Sequence, residues 1–505
     1  MTVPGGTKRF GIVAVVVTAL AVPALAADST PTGSVKQLAG TSGCYTIDGS
    51  SEDGADTCVD VRGSVGETTM AISPDDRFAY AVGYPRDDNV SAIQIYRRSG
   101  DGALHQLKGK DGCVSLDGSS EDGAHTCANG RQIDSGDGHS MAISSDGRFL
   151  YSGSQLELGP DNFGGVAIFK RDLKTGEIKQ LKGKAGCVSH KGRSEDGAKT
   201  CARARGVEFS NGVQLSRDGK FLYSMSYGDT PGAGIAIFRR GKHSGKLRQL
   251  KGKNGCITSD GTASGLSGKP CRAGIKLDTT WELALPDNEF AYAAAKDEKL
   301  VAGFRRNKAG GLVPIKGKHG CVSDDGSSLG GPDTCVDGRG LINVERVLLS
   351  RDRQYIYTQG YTPTQAAVLD RDPKTGKLSQ RSGKGSCITD DGSSSDGPGT
   401  CRVGRGFDGG YAGVVSRDGK TLYFANYNAD GLALLRLNPK SGAFKQLSGK
   451  QGCVTGNGTS SAGNDTCLDG LATEGAYQTT LSHDGRDLYV AAYNSSGIAH
   501  FRVRH

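Results

Sequence analysis

The sequence predicts an all-β fold, a seven-bladed β-propeller with four antiparallel strands per blade. Three observations carry that prediction. A glycine-rich segment bounded by two cysteines recurs seven times, opening at Cys44, Cys113, Cys187, Cys256, Cys321, Cys387 and Cys453. It closes at Cys58, Cys127, Cys201, Cys271, Cys335, Cys401 and Cys467, and the copies together use all 14 cysteines of the 505-residue chain. Successive copies start 65 to 74 residues apart, a period that fits one supersecondary unit per repeat. Each interval reads as short alternating strands separated by Asp-Gly or Thr-Gly turns, and no window has helical periodicity.

Taken in order, residues 1–26 begin with the basic pair Lys8 and Arg9, continue as an apolar run, and end in Ala24-Leu25-Ala26. That pattern is a secretory signal cleaved after Ala26. A bilayer anchor needs about 20 apolar residues, and this run is shorter and broken by Pro23. The expectation is an exported, extracellular protein with no membrane span after cleavage. Disulfides persist in such a compartment.

Residues 27–505 form the predicted propeller, a single domain of about 68 residues per repeat. In the second repeat, residues 139–144 and 148–154 read as two strands joined by Ser145-Asp146-Gly147. A third alternates through Val166, Ile168 and Lys170, and a fourth spans 177–183. The chain ends in a third strand with no fourth behind it. Residues 34–39 carry the fourth-strand motif KQL, so the N-terminal strand is expected to complete the last blade beside 500–504 and close the ring.

One tyrosine recurs in the second strand of every repeat: Tyr80, Tyr151, Tyr223, Tyr292, Tyr357, Tyr423 and Tyr489. A residue present in all seven copies serves packing, and a ring with a polar tip suits the seam between sheets. A second tyrosine ends that strand in five repeats, at Tyr84, Tyr227, Tyr361, Tyr427 and Tyr493.

Cysteines 14 or 15 residues apart on a glycine-rich segment are expected to pair within their own repeat. They lack the C-x-x-C spacing of a zinc site. Asp48, Glu52 and Asp53, then Asp117, Glu121 and Asp122, offer oxygens for Ca²⁺, but without calcium-loop spacing. Glycine, serine and aspartate also favour turns, so no cofactor is expected.

The repeats differ where strand one begins, at Glu67, His139, Asn211, Trp281, Glu282, Glu345, Arg346, Tyr411 and Tyr477. Polar groups converging in a concavity form the default binding site. Here His139 is the candidate for proton transfer, Arg346 the anchor for a substrate carboxylate, and Glu282 or Glu345 the acid–base partner. Trp281 offers a flat face to a sugar ring, with Glu67, Asn211, Tyr411 and Tyr477 as further substrate contacts. The bland alternative is that His139 is a hydrogen-bonded polar residue and Trp281 a channel plug.

The recurrent S-x-D-G-x-x-L-Y of strands one and two, followed by R-D-x-x-T-G-x-L-x-Q-L, resembles the lactonase-type propellers, which include 6-phosphogluconolactonase and the carboxymuconate cyclases. Gly138-His139-Ser140 ahead of residues 144–147 is similar to that family's His-containing segment. The resemblance implies a hydrolase or lyase acting on a lactone, sugar acid or glycan. The signal and the disulfide loops depart from the family, and export argues against a cytosolic sugar phosphate. The other reading is a non-enzymatic propeller that binds glycan or an extracellular protein. A net charge of +8, spread through repeated Lys-Gly-Lys, gives no focused nucleic-acid surface, and a monomer is expected.

Overall fold

The computed structural model describes residues 1–2, 5–6, 31–84, 91–133, 141–155, 157–158, 161–162, 164–226, 228, 233–263 and 266–505. Most of the signal segment and His139 lie outside them, as does Tyr227. The described residues form strands and seven short 3-10 turns, with no α-helix among them.

Seven first strands mark seven units: Glu67–Ile72, Met141–Ile143, Ser210–Leu215, Thr280–Ala284, Val344–Leu349, Gly410–Val415 and Ala476–Leu481. In unit one this strand pairs with Phe78–Gly83, which pairs with the third strand Ala92–Arg98. The fourth strand, Leu104–Gln106, covers only one half of the third. The other half pairs with Cys113–Ser115, opposite residues 92–94, and Ala128–Asn129 then runs parallel to that strand.

This pairing overturns the predicted closed seven-bladed propeller of four antiparallel strands per blade. The cysteine segment is not a bare connection; it supplies two strands, one of them parallel, so a sheet has six strands. Nor are there seven separate sheets. Five six-stranded sheets stand alone, whereas units six and seven join in one 12-stranded sheet through the pair Ala412 and Gln478. A two-stranded ribbon, Glu157–Leu158 with Asp161–Asn162, projects from unit two. The architecture is an all-β succession of repeated sheets.

The two ends of the chain meet as the sequence predicts. Val35 pairs with Val503 and Gln37 with Phe501, and Cys44 continues along the same strand opposite Ala499. Gln37 then does for unit seven what Gln106 does for unit one. Gln106 Nε2 donates to Arg62 O at 2.7 Å and its Oε1 accepts from Arg62 N. Gln37 makes the same two bonds to Leu471, at 2.9 and 2.8 Å.

The seven disulfides all close within their own segment, with Cα atoms 4.8 or 4.9 Å apart. Inside the first, Asp48 accepts from the Ser50 amide as an Asx turn, and Glu52 Oε2 accepts from Ala472 N at 2.8 Å. Glu121 takes Gly63 N the same way at 2.9 Å. Glu52 and Glu121 tie their segments back to the start of their own units.

The recurrent tyrosine holds neighbouring units together. Buried Tyr80 donates to Gly176 O of unit two at 2.6 Å and accepts from Arg171 Nε at 2.6 Å. Tyr151 and Arg240 repeat the arrangement, and Arg98 Nε reaches Tyr489 OH across units one and seven at 2.9 Å.

Candidate functional site

Among the described residues, the first strands of six units break register near their start. The breaks fall between Glu67 and Thr69, Ser210 and Gly212, Thr280 and Glu282, Val344 and Arg346, Gly410 and Gly413, and Ala476 and Gln478. A bulge leaves one residue out of the ladder and re-aims its side chain. The residues so displaced are Thr68, Asn211, Trp281, Glu345 and Tyr477, with Tyr411 and Ala412 in unit six. The candidate residues therefore do not form one equivalent row: Glu67 precedes its bulge, while Glu282 and Arg346 follow theirs.

Residues after the bulge bridge neighbouring first strands. Glu282 Oε2 accepts from Val347 N at 3.1 Å, and Gln478 Oε1 accepts from Met70 N at 2.6 Å. Glu282 thus shares its position and its bonding with an uncharged glutamine. Glu67 is fully buried in unit one, where its Oε1 accepts from Gln94 Nε2 at 2.5 Å. Burial pushes its carboxyl up to about 7 against the lowering effect of that hydrogen bond. Asn211 is buried at the unit-three bulge.

The other candidates gather in units four to seven. The Arg346 guanidinium lies 5.2 Å from the Trp281 ring centre and 5.8 Å from that of Tyr411. Tyr411 stacks on Tyr477 at 3.9 Å, with their planes 24° apart. Tyr361 and Tyr427 close on Tyr411 at 5.0 and 5.9 Å, and Tyr493 lies 6.4 Å from Tyr477. Tyr361 OH donates to Asn428 Oδ1 at 3.4 Å, and Tyr427 OH to Asn494 Oδ1 at 3.1 Å. Burial raises the Tyr361 phenol, helped by Tyr427 and Glu345 and opposed by Lys296.

Lys296 is the residue the sequence reading missed. It follows the second strand Phe290–Ala295, at the place filled by Tyr84, Tyr361, Tyr427 and Tyr493 in other units. That column was the available signal, since lysine is its exception in unit four. The ammonium lies 2.7 Å from Glu345 Oε1, 5.1 Å from the Trp281 ring centre and 5.6 Å from that of Tyr361. Arg346 and Glu345 are fully buried, whereas 23% of the Lys296 side chain is exposed. The accessible cation is therefore Lys296, and Arg346 and Glu345 lie beneath it.

A separate cavity of about 430 Å³ lies among the cysteine segments of units five, six and seven, with Glu52, Asp390, Asp408, Asp430 and Glu474 on its walls. Burial raises Asp430 and Glu474 there. Among the described residues no group of three His, Cys, Asp or Glu is placed to hold a metal ion.

No family model matches the chain, and no curated protein matches it. Solved structures do. The periplasmic gluconolactonase PpgL of Pseudomonas aeruginosa is similar at 16% identity and a TM-score of 0.46, over 75% of this chain and 84% of that one. Hydrazine synthase of Kuenenia stuttgartiensis is similar at 14% and 0.44, over 86% and 95%. The β-propeller domain of Cps50 (Swd1) from Myceliophteria thermophila gives 9% and 0.47, over 87% and 97%. Likenesses at this level carry no inference about activity.

Proposed function

We propose that this is an exported protein that binds a carboxylated sugar on the tyrosine shelf beside Lys296. One observation carries the reading: the partly exposed Lys296 places its ammonium within 6 Å of both the buried Trp281 ring and the partly exposed Tyr361 ring. Aromatic faces receive the apolar face of a sugar ring, and a fixed cation beside them selects a ring that bears a carboxylate. Glu345 fixes the lysine, and Arg346 props Trp281 and Tyr411 from below. The seven disulfides fit the oxidising compartment in which such glycans occur.

Trp281 is the chain's single tryptophan, so the site reports on itself. Glucuronate or oligogalacturonate should give a saturable fluorescence change in the wild type, with glucose giving none. Lys296→Met should weaken the acid ligand at least tenfold. A flat titration with every uronic acid would end this reading.

A second reading, opening of a sugar lactone, is favoured by the exposure of a cation already held in place. Lys296 would polarise the lactone carbonyl for attack by water, and His139 would take the water's proton and return it to the ring oxygen as the acyl C–O bond breaks. A lactone screen on the wild type, His139→Ala and Lys296→Met decides it: turnover lost in both variants at unchanged melting temperature supports hydrolysis.

A further inference from the structure

We propose that the outer edge of the repeated sheets is a docking surface for an acidic polysaccharide, a linear chain of carboxylated or sulfated sugars. The observation is one of register. On the third and fourth strands, Lys170 lies opposite Lys179, Arg239 opposite Arg248, and Arg436 opposite Lys445. Where the chain ends meet, Lys36 lies opposite Arg502, and in unit one Arg97 lies opposite His105. Arg502 is partly exposed and the other nine are exposed.

Residues directly opposite on antiparallel strands have Cβ atoms about 5 Å apart, and like charges placed so destabilise the sheet. Edge protection accounts for basic residues on the fourth strand, which is a sheet edge. It does not account for the third strand, which is paired on both sides. Within the chain Glu177 pairs with Lys179, Asp487 pairs with Arg502, and Arg239 lies over the Phe221 ring. These contacts relieve the second basic column only in part, and its recurrence from unit to unit fits a partner of opposite charge. The row continues into exposed Lys108 and Lys110, and into Lys182 and Lys184, just past the fourth strands.

The row has ends. Unit five places Asp370 opposite Ser379 and pairs that aspartate with Arg381, and unit four places Arg305 opposite Val313. The doubled charge therefore runs through units six, seven, two and three, with Arg97 of unit one between them. A flexible linear polyanion can follow cations spread over successive sheets, whereas a flat membrane meets only a few at a time. Seven disulfides also set the chain apart from compartments rich in nucleic acid. Lys296 is not part of this row, so the surface stands independently of the tyrosine shelf.

The test is retention of the full exported chain on immobilised heparin and on polygalacturonate, with phosphatidylglycerol vesicles and duplex DNA as competing arms. Wild type should elute from both polysaccharides only above physiological ionic strength. The triple variant Lys170→Glu, Arg239→Glu, Arg436→Glu should run through at that ionic strength with its melting temperature unchanged or raised. A control with the same charge change on the cysteine segments and turns, Lys199→Glu, Lys269→Glu, Lys384→Glu, should keep most of its retention. Equal loss in both variants would reduce the effect to net charge and overturn the proposal. So would retention on vesicles or DNA without retention on either polysaccharide.

Discussion

Lys296 Nζ of unit four lies 2.7 Å from Glu345 Oε1 of unit five, an ion pair that crosses between two sheets beside the single tryptophan. The carboxylate is fully buried and the lysine is only partly so. Removing the cation removes a charged hydrogen bond from a group that has left water. Lys296→Met should cost about 2 kcal/mol in urea unfolding. Lys296→Met combined with Glu345→Gln should recover part of that loss. If the double variant is less stable than the sum of the singles, the pair is not a stabilising contact.

Glu67 makes stability depend on pH in the opposite sense to an ion-paired carboxylate. Burial raises its folded value to about 7, from 4.5 when unfolded. Below 4.5 both states hold the proton and the group contributes no slope. Between 4.5 and 7 the unfolded chain releases the proton first, so stability falls as pH rises. The loss levels off above about 7, at roughly 3 kcal/mol. Glu67→Gln keeps an acceptor for Gln94 and should flatten this region, making the variant the more stable protein at pH 8. Parallel unfolding curves for the two proteins from pH 5 to pH 8 would contradict it.

These two residues show what the sequence could and could not convey. Strand positions, the tyrosine seams, the disulfide pairs and the meeting of the chain ends were legible because repetition gives each signal several times over. The six-stranded sheets were not, because a pair such as Val114 and Ala128 is parallel and lies inside a segment whose glycines, serines and aspartates signal turns. The candidate site was half legible. Its residues were recognised as departures from the repeat, but the bulges were not visible, and sequence alone did not show that Glu67 aligns with Thr280 and Thr68 with Trp281. Lys296 was missed because the column after the second strand was read for its five tyrosines and not for the residues of the two units that lack one.

The N-terminal strand should be required for folding. Val35 is buried and pairs with Val503, and Gln37 holds Leu471 through two hydrogen bonds. Deleting residues 35–40 removes at least one buried side chain and both bonds, a loss of about 3 kcal/mol or more. Deleting the residues between the signal and Pro31 should leave the melting temperature within a degree or two. Equal melting of both truncations would show that the strand is dispensable.

Each disulfide closes its own small loop, so removing one should act locally. Cys187→Ser with Cys201→Ser should cost about 3 kcal/mol in the chain-entropy account, with less expected if the segment's hydrogen bonds persist. Its amide protection should fall in residues 187–203 and remain elsewhere. Peptide mapping without reduction should return seven pairs, none joining different segments. A cross-segment pair, or loss of protection throughout, would contradict local closure.

Tyr411 and Tyr477 touch at 3.9 Å yet should answer differently to the same substitution. Tyr477 is 4% exposed, so Tyr477→Ala opens a cavity and should cost about 3 kcal/mol or more of stability. Tyr411 is partly exposed, between Tyr361 and the Arg346 guanidinium. Tyr411→Ala should cost about half as much and should weaken a uronic acid ligand by about tenfold, as expected for loss of one aromatic face. Tyr411→Phe separates the ring from its hydroxyl. It should bind like the wild type if stacking carries the affinity. Titration by Trp281 fluorescence reads binding, and urea unfolding reads stability in the same samples. Wild-type affinity in Tyr411→Ala would mean that the ligand does not stack on this shelf.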